Sequence, residues 1–131
     1  VEGAPPEVLE SLVLYGWNDT AHCYYEADYP EPGKGYWLYS PLTFNLTLYG
    51  NETLQEYEAY LPPGWHLLGS VYGSTAKVNC TEGECYPSPY GWNPYSEQYY
   101  MVQLMEEGRG YWYLTYTPAH VHVYPYPPLP P

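Results

Sequence analysis

The stretch Gly33-Lys34-Gly35-Tyr36-Trp37-Leu38-Tyr39-Ser40-Pro41-Leu42-Thr43-Phe44-Asn45-Leu46-Thr47-Leu48-Tyr49 decides the fold class. It opens on a glycine-bracketed turn and runs into a Tyr-Trp-Leu-Tyr strand. It turns again at Pro41 and then alternates strictly. Phe44, Leu46 and Leu48 share one face of a period-two strand; Thr43, Asn45, Thr47 and Tyr49 share the other. Tyr, Trp, Thr and Leu suit a pleated, half-buried surface, and no helical spacing of three and four competes here.

The same phrases return later in the chain at one offset, since 90 − 15 and 112 − 37 both equal 75. Tyr15-Gly16-Trp17-Asn18 recurs as Tyr90-Gly91-Trp92-Asn93, and Tyr24-Tyr25 as Tyr99-Tyr100. Gly33-Lys34-Gly35-Tyr36-Trp37 recurs as Gly108-Arg109-Gly110-Tyr111-Trp112, and Tyr49 as Tyr124. Fourteen of the 56 comparable positions are identical without a gap. A composition this rich in Tyr, Pro and Gly gives about four by chance, so duplication is the reading. The offset pairs Phe44, Leu46 and Leu48 with Ala119, Val121 and Val123, all apolar. It pairs Asn45 and Thr47 with His120 and His122, which therefore belong on the outer face.

Two complete units would need more than the 131 residues present. Copy two fills 57–131 and copy one 1–56, so Tyr57–Thr75 has no counterpart. That stretch holds Leu61-Pro62-Pro63-Gly64-Trp65-His66-Leu67-Leu68-Gly69, a turn entering a strand. Copy one is thus expected to lack a first strand.

Strands are expected at Tyr36–Ser40, Thr43–Tyr49, Trp65–Tyr72, Gln98–Met105, Tyr111–Thr117 and His120–Tyr124, with two more near Leu12–Trp17 and Ala21–Tyr25. Pro6–Leu14 is the best helix candidate, and it is short. The expectation is an all-β, antiparallel, sandwich-like single domain over Val1–Tyr124 built from two degenerate 75-residue repeats, the first incomplete. A Pro-rich arm follows at 125–131.

Composition narrows function. Fifteen carboxylates face three basic side chains, Lys34, Lys77 and Arg109, for a net charge of -12. No basic stripe can be built from three cations, so nucleic acid is excluded as a partner. No apolar run approaches the ~20 residues of a membrane-spanning helix. The start, Val1-Glu2-Gly3-Ala4-Pro5-Pro6, reads as one left after signal-peptide removal. Four acceptors for N-linked glycans occur, at Asn18, Asn45, Asn51 and Asn79. Asn93 repeats the context of Asn18, but Pro94 spoils it. Cys80 and Cys85 flank Gly83 and could close a short disulfide loop, leaving Cys23 free; an intermolecular bridge and a Cys23 pairing with one of the others are also open. Sequons and disulfide both fit an extracellular or cell-surface location.

Sites of chemistry are scarce. No Ser sits in a nucleophile elbow, and Glu26, Asp28, Glu31, Glu56, Glu58, Glu106 and Glu107 fall near turns and edges, where they solvate the surface. No catalytic residue, metal site or cofactor is assigned. The loop Glu26-Ala27-Asp28-Tyr29-Pro30-Glu31 offers oxygens for weak calcium binding at most. His120-Val121-His122 points two imidazoles one way, but no carboxylate lies near in sequence.

Pro63-Gly64-Trp65-His66-Leu67-Leu68-Gly69 followed by Gly108-Arg109-Gly110-Tyr111-Trp112 resembles a module of secreted bacterial and archaeal surface proteins. There a Gly-Trp-Asn-Leu-Ile-Gly-like strand precedes a Gly-Lys-Gly-Tyr-Trp-like turn and strand. Copy one matches only the second block, at Gly33–Trp37. The resemblance implies an extracellular β domain with no catalytic residues to carry over.

Together these features lead to a structural subunit of a glycosylated extracellular filament or surface layer. It would bind copies of itself head to tail through strand or arm exchange. Tyr124, Tyr126 and Leu129 are the expected contacts of the C-terminal arm. The other expectation is a carbohydrate-binding module using exposed Tyr and Trp faces.

Overall fold

The computed structural model describes residues 13–39, 56–71 and 75–127. Every regular element among them is a β-strand, and every strand pair is antiparallel. Ten strands follow in order: β1 (Val13–Asn18), β2 (Cys23–Ala27), β3 (Trp37–Tyr39), β4 (Tyr57–Leu61), β5 (Gly64–Gly69), β6 (Ala76–Glu82), β7 (Tyr90–Asn93), β8 (Gln98–Met101), β9 (Gly110–Thr115) and β10 (Ala119–Pro125). They form three sheets, in the orders β2-β1-β3, β4-β10-β6 and β5-β9-β7-β8.

The core lies where β5 and β9 meet the β10 sheet. Leu68, Tyr111 and Tyr113 pack with Val121, Val123, Ala76, Val71 and Met105. β10 is central in its sheet, and its burial alternates along the whole strand. Val121 and Val123 are fully buried; burying each is worth about 1.5–3 kcal/mol. His120, His122 and Tyr124 take the other face and stay partly exposed. His122 Nε2 lies 3.4 Å from a Glu56 carboxylate oxygen, and His120 contacts the Thr81 hydroxyl. The histidines therefore have separate partners.

Several expected boundaries move. Val13 and Leu14 lie in β1 and not in a helix, because Val13–Tyr15 pair with Trp37–Tyr39. The strand expected over Gln98–Met105 ends at Met101. Beyond it Val102 donates to the Pro89 carbonyl at 3.0 Å and Met105 forms a lone bridge with Ala76. β4 and β6 were not anticipated. Thr43–Tyr49 lies outside the described residues, as do Asn45, Asn51 and Leu129.

Two hairpins share one geometry. In β1–β2, Gly16 pairs with Tyr25, Trp17 with Tyr24 and Asn18 with Cys23. In β7–β8, Gly91 pairs with Tyr100, Trp92 with Tyr99 and Asn93 with Gln98. Tyr15 pairs with Trp37 across β1–β3, and Tyr90 with Trp112 across β7–β9. Each of these four pairs of β1 has a match 75 residues further on.

Candidate functional site

The hairpin turns are built by Asn side chains. Asn18 Oδ1 accepts the amides of Thr20 and Ala21 at 3.0 and 2.9 Å. Asn93 Oδ1 accepts those of Tyr95 and Ser96 at 2.9 and 3.2 Å. An Asn carbonyl that mimics the backbone stabilises such a turn. Each turn then places a residue at φ 54°, His22 in one and Glu97 in the other.

Glycine beneath tyrosine sets the strands that follow. A Cβ on Gly16 would meet the Tyr25 ring at 2.5 Å, and one on Gly91 the Tyr100 ring at 2.8 Å. The Gly-Lys-Gly and Gly-Arg-Gly turns carry the same bonds. The Tyr36 hydroxyl accepts the Glu31 amide at 2.9 Å, and the Tyr111 hydroxyl accepts the Glu106 amide at 2.8 Å. Lys34 pairs with Glu31 at 2.7 Å and Arg109 with Glu106 at 3.3 Å. The hydrogen bond to Glu31 raises the Lys34 pKa above the usual range, and burial raises that of the Tyr111 phenol.

Tryptophans join the two hairpin sheets. Trp17 meets Trp112 edge to face at 5.3 Å, and Trp37 meets Trp92 edge to face at 6.0 Å. Both are favourable T-shaped geometries. Two clefts open beside this cluster. One, of about 640 Å³, runs along β3 and is closed by Trp92–Tyr95 and Arg109–Gly110. The other, of about 560 Å³, is walled by Trp17, Tyr24, Trp65, Tyr90, Tyr99 and Trp112.

His66 occupies a buried polar station that sequence reasoning missed. Its Nδ1 is 2.7 Å from Asp19 Oδ2 and its Nε2 is 2.9 Å from Thr115 Oγ1. An acid, an imidazole and a hydroxyl in line can serve a nucleophile. Here Thr115 is 1% exposed and its hydroxyl also faces the Pro62 carbonyl at 2.9 Å. Sealed in this way, the line pins the β1–β2 turn to β5 and β9. The three residues are far apart in sequence and share no motif.

Asn18 and Asn79 are exposed. Cys80 and Cys85 are joined in a disulfide, and Cys23 is exposed and unpaired. Gly83 between the first two takes φ 89°, and a Cβ there would meet the Pro118 carbonyl at 2.5 Å. Among the described residues no three His, Cys, Asp or Glu side chains gather as metal ligands. No described helix is long and apolar enough to cross a membrane.

The expected arm contacts are placed in part. Tyr124 belongs to β10 and pairs with Lys77. The Tyr126 amide donates to the Thr75 carbonyl at 3.0 Å, and Lys77 Nζ sits 3.9 Å over the Tyr126 ring. Both tyrosines are thus engaged within the subunit, and only the chain after Tyr126 is left for an arm.

No family model, curated protein or solved structure matches this chain.

Proposed function

We propose that the protein is a structural subunit of an extracellular, glycosylated filament or surface layer that assembles through its sheet edges. The observation that carries this reading is the outer strand of each hairpin. β2 and β8 each end a sheet, and their residues are exposed except Ala27. They present Tyr24, Tyr25, Tyr99, Tyr100 and Met101 to solvent; neither contains Lys or Pro, and Glu26 is the one charge between them. Edge strands that stay monomeric are normally blunted by such residues or covered. Tyr also suits interfaces, offering large contact area for little rotamer entropy.

The reading treats the chain as two copies of one unit packed sandwich-like through their aromatic faces. Support comes from the matched hairpin registers and from the reciprocal tryptophan contacts. Trp17 touches Trp112, and their counterparts Trp92 and Trp37 touch each other. Reciprocity of this kind is what an approximate two-fold relation between copies requires. The exposed sequons Asn18 and Asn79 and the disulfide Cys80–Cys85 fit an oxidising, extracellular setting. Negative-stain microscopy of the purified chain tests the assembly, with filaments or sheets as the expected image.

A second reading, carbohydrate binding, is favoured by the cleft walled by three Trp and three Tyr rings. Aromatic faces stack on the C–H faces of sugars. Saturable binding on a glycan array that Trp65→Ala abolishes would support it; no binding would remove it.

A further inference from the structure

β5 has a defined set of neighbours. It pairs with β9 along its whole length. On its other side Gly35 N donates to the Leu67 carbonyl at 3.0 Å, and Gly69 N donates to the Gly33 carbonyl at 3.2 Å. Trp17 Nε1 donates to the Trp65 carbonyl at 2.9 Å, and Asp19 meets His66. The same neighbours, carried to the other copy by the repeat, are β3, Gly110, Gly108, Trp92 and Pro94. All of these but Gly108 line the 640 Å³ cleft, β3 through Trp37 and Leu38, and Arg109 joins Trp92, Pro94 and Gly110 in its walls. The cleft therefore has the lining of a second β5 position. Among the described residues no strand occupies it. Leu38 on β3 is 40% exposed, and the Trp37 indole nitrogen is buried with no hydrogen-bond partner among the described residues. Buried donors of this kind ordinarily have one.

We infer that this cleft accepts residues 1–12 of a second copy of the chain as an extended strand antiparallel to β3. The inference rests on the assembly reading above. By analogy with β5, a carbonyl of the incoming strand meets Gly110 N and an amide meets the Gly108 carbonyl. Pro94 stands where Asp19 serves His66, so the incoming strand needs no histidine there.

Topology separates the donors. A strand antiparallel to β3 runs parallel to β1, because β1 and β3 are antiparallel. Parallel strands need a crossover of about a dozen or more residues. The connection from β5 to β7 uses residues 70–89. Residues 1–12 run straight into β1, which starts at Val13, and leave nothing for a crossover within one subunit. From a neighbour they reach ~40 Å when extended, at ~3.3 Å per residue. Glu7-Val8-Leu9-Glu10-Ser11-Leu12 contains no Pro or Gly and has an amide at every position. The C-terminal segment suits the position less well: Pro127, Pro128, Pro130 and Pro131 have no amide to give Gly108.

Photo-crosslinking tests the assignment in the full chain. Leu38 is replaced by benzoylphenylalanine, and the variant is mixed with unsubstituted chain labelled with nitrogen-15. A second variant carries the crosslinker at Pro94, so that a folding defect at one position is not decisive. Aromatic circular dichroism matching the unsubstituted chain qualifies each. After irradiation, light–heavy crosslinks whose heavy peptide falls within residues 1–12 are expected. Crosslinks confined to one chain, crosslinks to any other heavy segment, or none from either position would overturn the inference. If microscopy of the same samples still shows filaments or sheets, the assembly reading survives that failure; if it shows only monomers, both fall.

Discussion

Gly35 and Gly110 lie against each other. A Cβ on Gly35 would stand 3.1 Å from the Gly110 Cα, and one on Gly110 would stand 3.4 Å from the Gly35 Cα. They hold matching places in the two Gly-x-Gly turns, Gly33-Lys34-Gly35 and Gly108-Arg109-Gly110. The Cβ added at Gly35 would also meet the Leu68 carbonyl at 2.6 Å, which is backbone and cannot swing aside.

Gly35→Ala should therefore destabilise by about 1–3 kcal/mol, the range of overpacking in a tight site. Gly110→Ala should cost less, since its nearest neighbour is at 3.4 Å. Urea unfolding measures both; equal, negligible losses would mean that the turns do not pack this closely.

His66→Ala should cost about 2–4 kcal/mol. It leaves a cavity and strips a partner from both Asp19 and the buried Thr115 hydroxyl. Thermal or urea unfolding reads this loss. A change no larger than that of an ordinary surface substitution would show that the pin is unimportant.

Tyr113 is buried, and burial alone raises its pKa above 10.0. Burial is also the leading cause of the raised values of Tyr111, Tyr57 and Tyr36. A raised folded-state pKa means that the unfolded chain loses these protons first. The associated stability is fully present below pH 10 and is lost as pH climbs through the folded values. Urea midpoints should fall above pH 10, and Tyr113→Phe should flatten part of that fall. A midpoint constant from pH 9 to 12 would contradict the burial.

One thiol per chain, Cys23, should react with a thiol reagent in the native, unreduced protein, and three after reduction and unfolding. Reducing the Cys80–Cys85 loop should lower stability by about 2 kcal/mol, the loop-closure value for so short a ring. Three reactive thiols without reductant would mean that the bond is not formed.

Much of the fold was legible because its strands carry their own signals. The β9 and β10 strands alternate visibly, and the Gly-x-Gly turns announce the strands after them. β6 was missed although it carries the period-two signal, with Ala76, Val78 and Cys80 alternating with Lys77, Asn79 and Thr81. β4 was hidden because tyrosine stands on both of its faces, Tyr57 with Ala59 and Leu61 on one and Tyr60 with Glu58 on the other. Comparison of the two copies anticipated the outward face of His120 and His122 but not their different partners. Tyr124 was expected both at the end of the His120–Tyr124 strand and as a contact of the arm. The structure pairs it with Lys77 of β6, a long-range partner that the sequence does not announce. Asp19, His66 and Thr115 escaped for the same reason: three-dimensional contact between remote residues leaves no local trace.

Electron microscopy of the purified 131-residue chain at high concentration, with and without calcium, tests the central claim most directly. Ordered filaments or sheets, with subunits joined along the β2, β3 or β8 edges, are the predicted result. Monodisperse monomers under all of these conditions would contradict it.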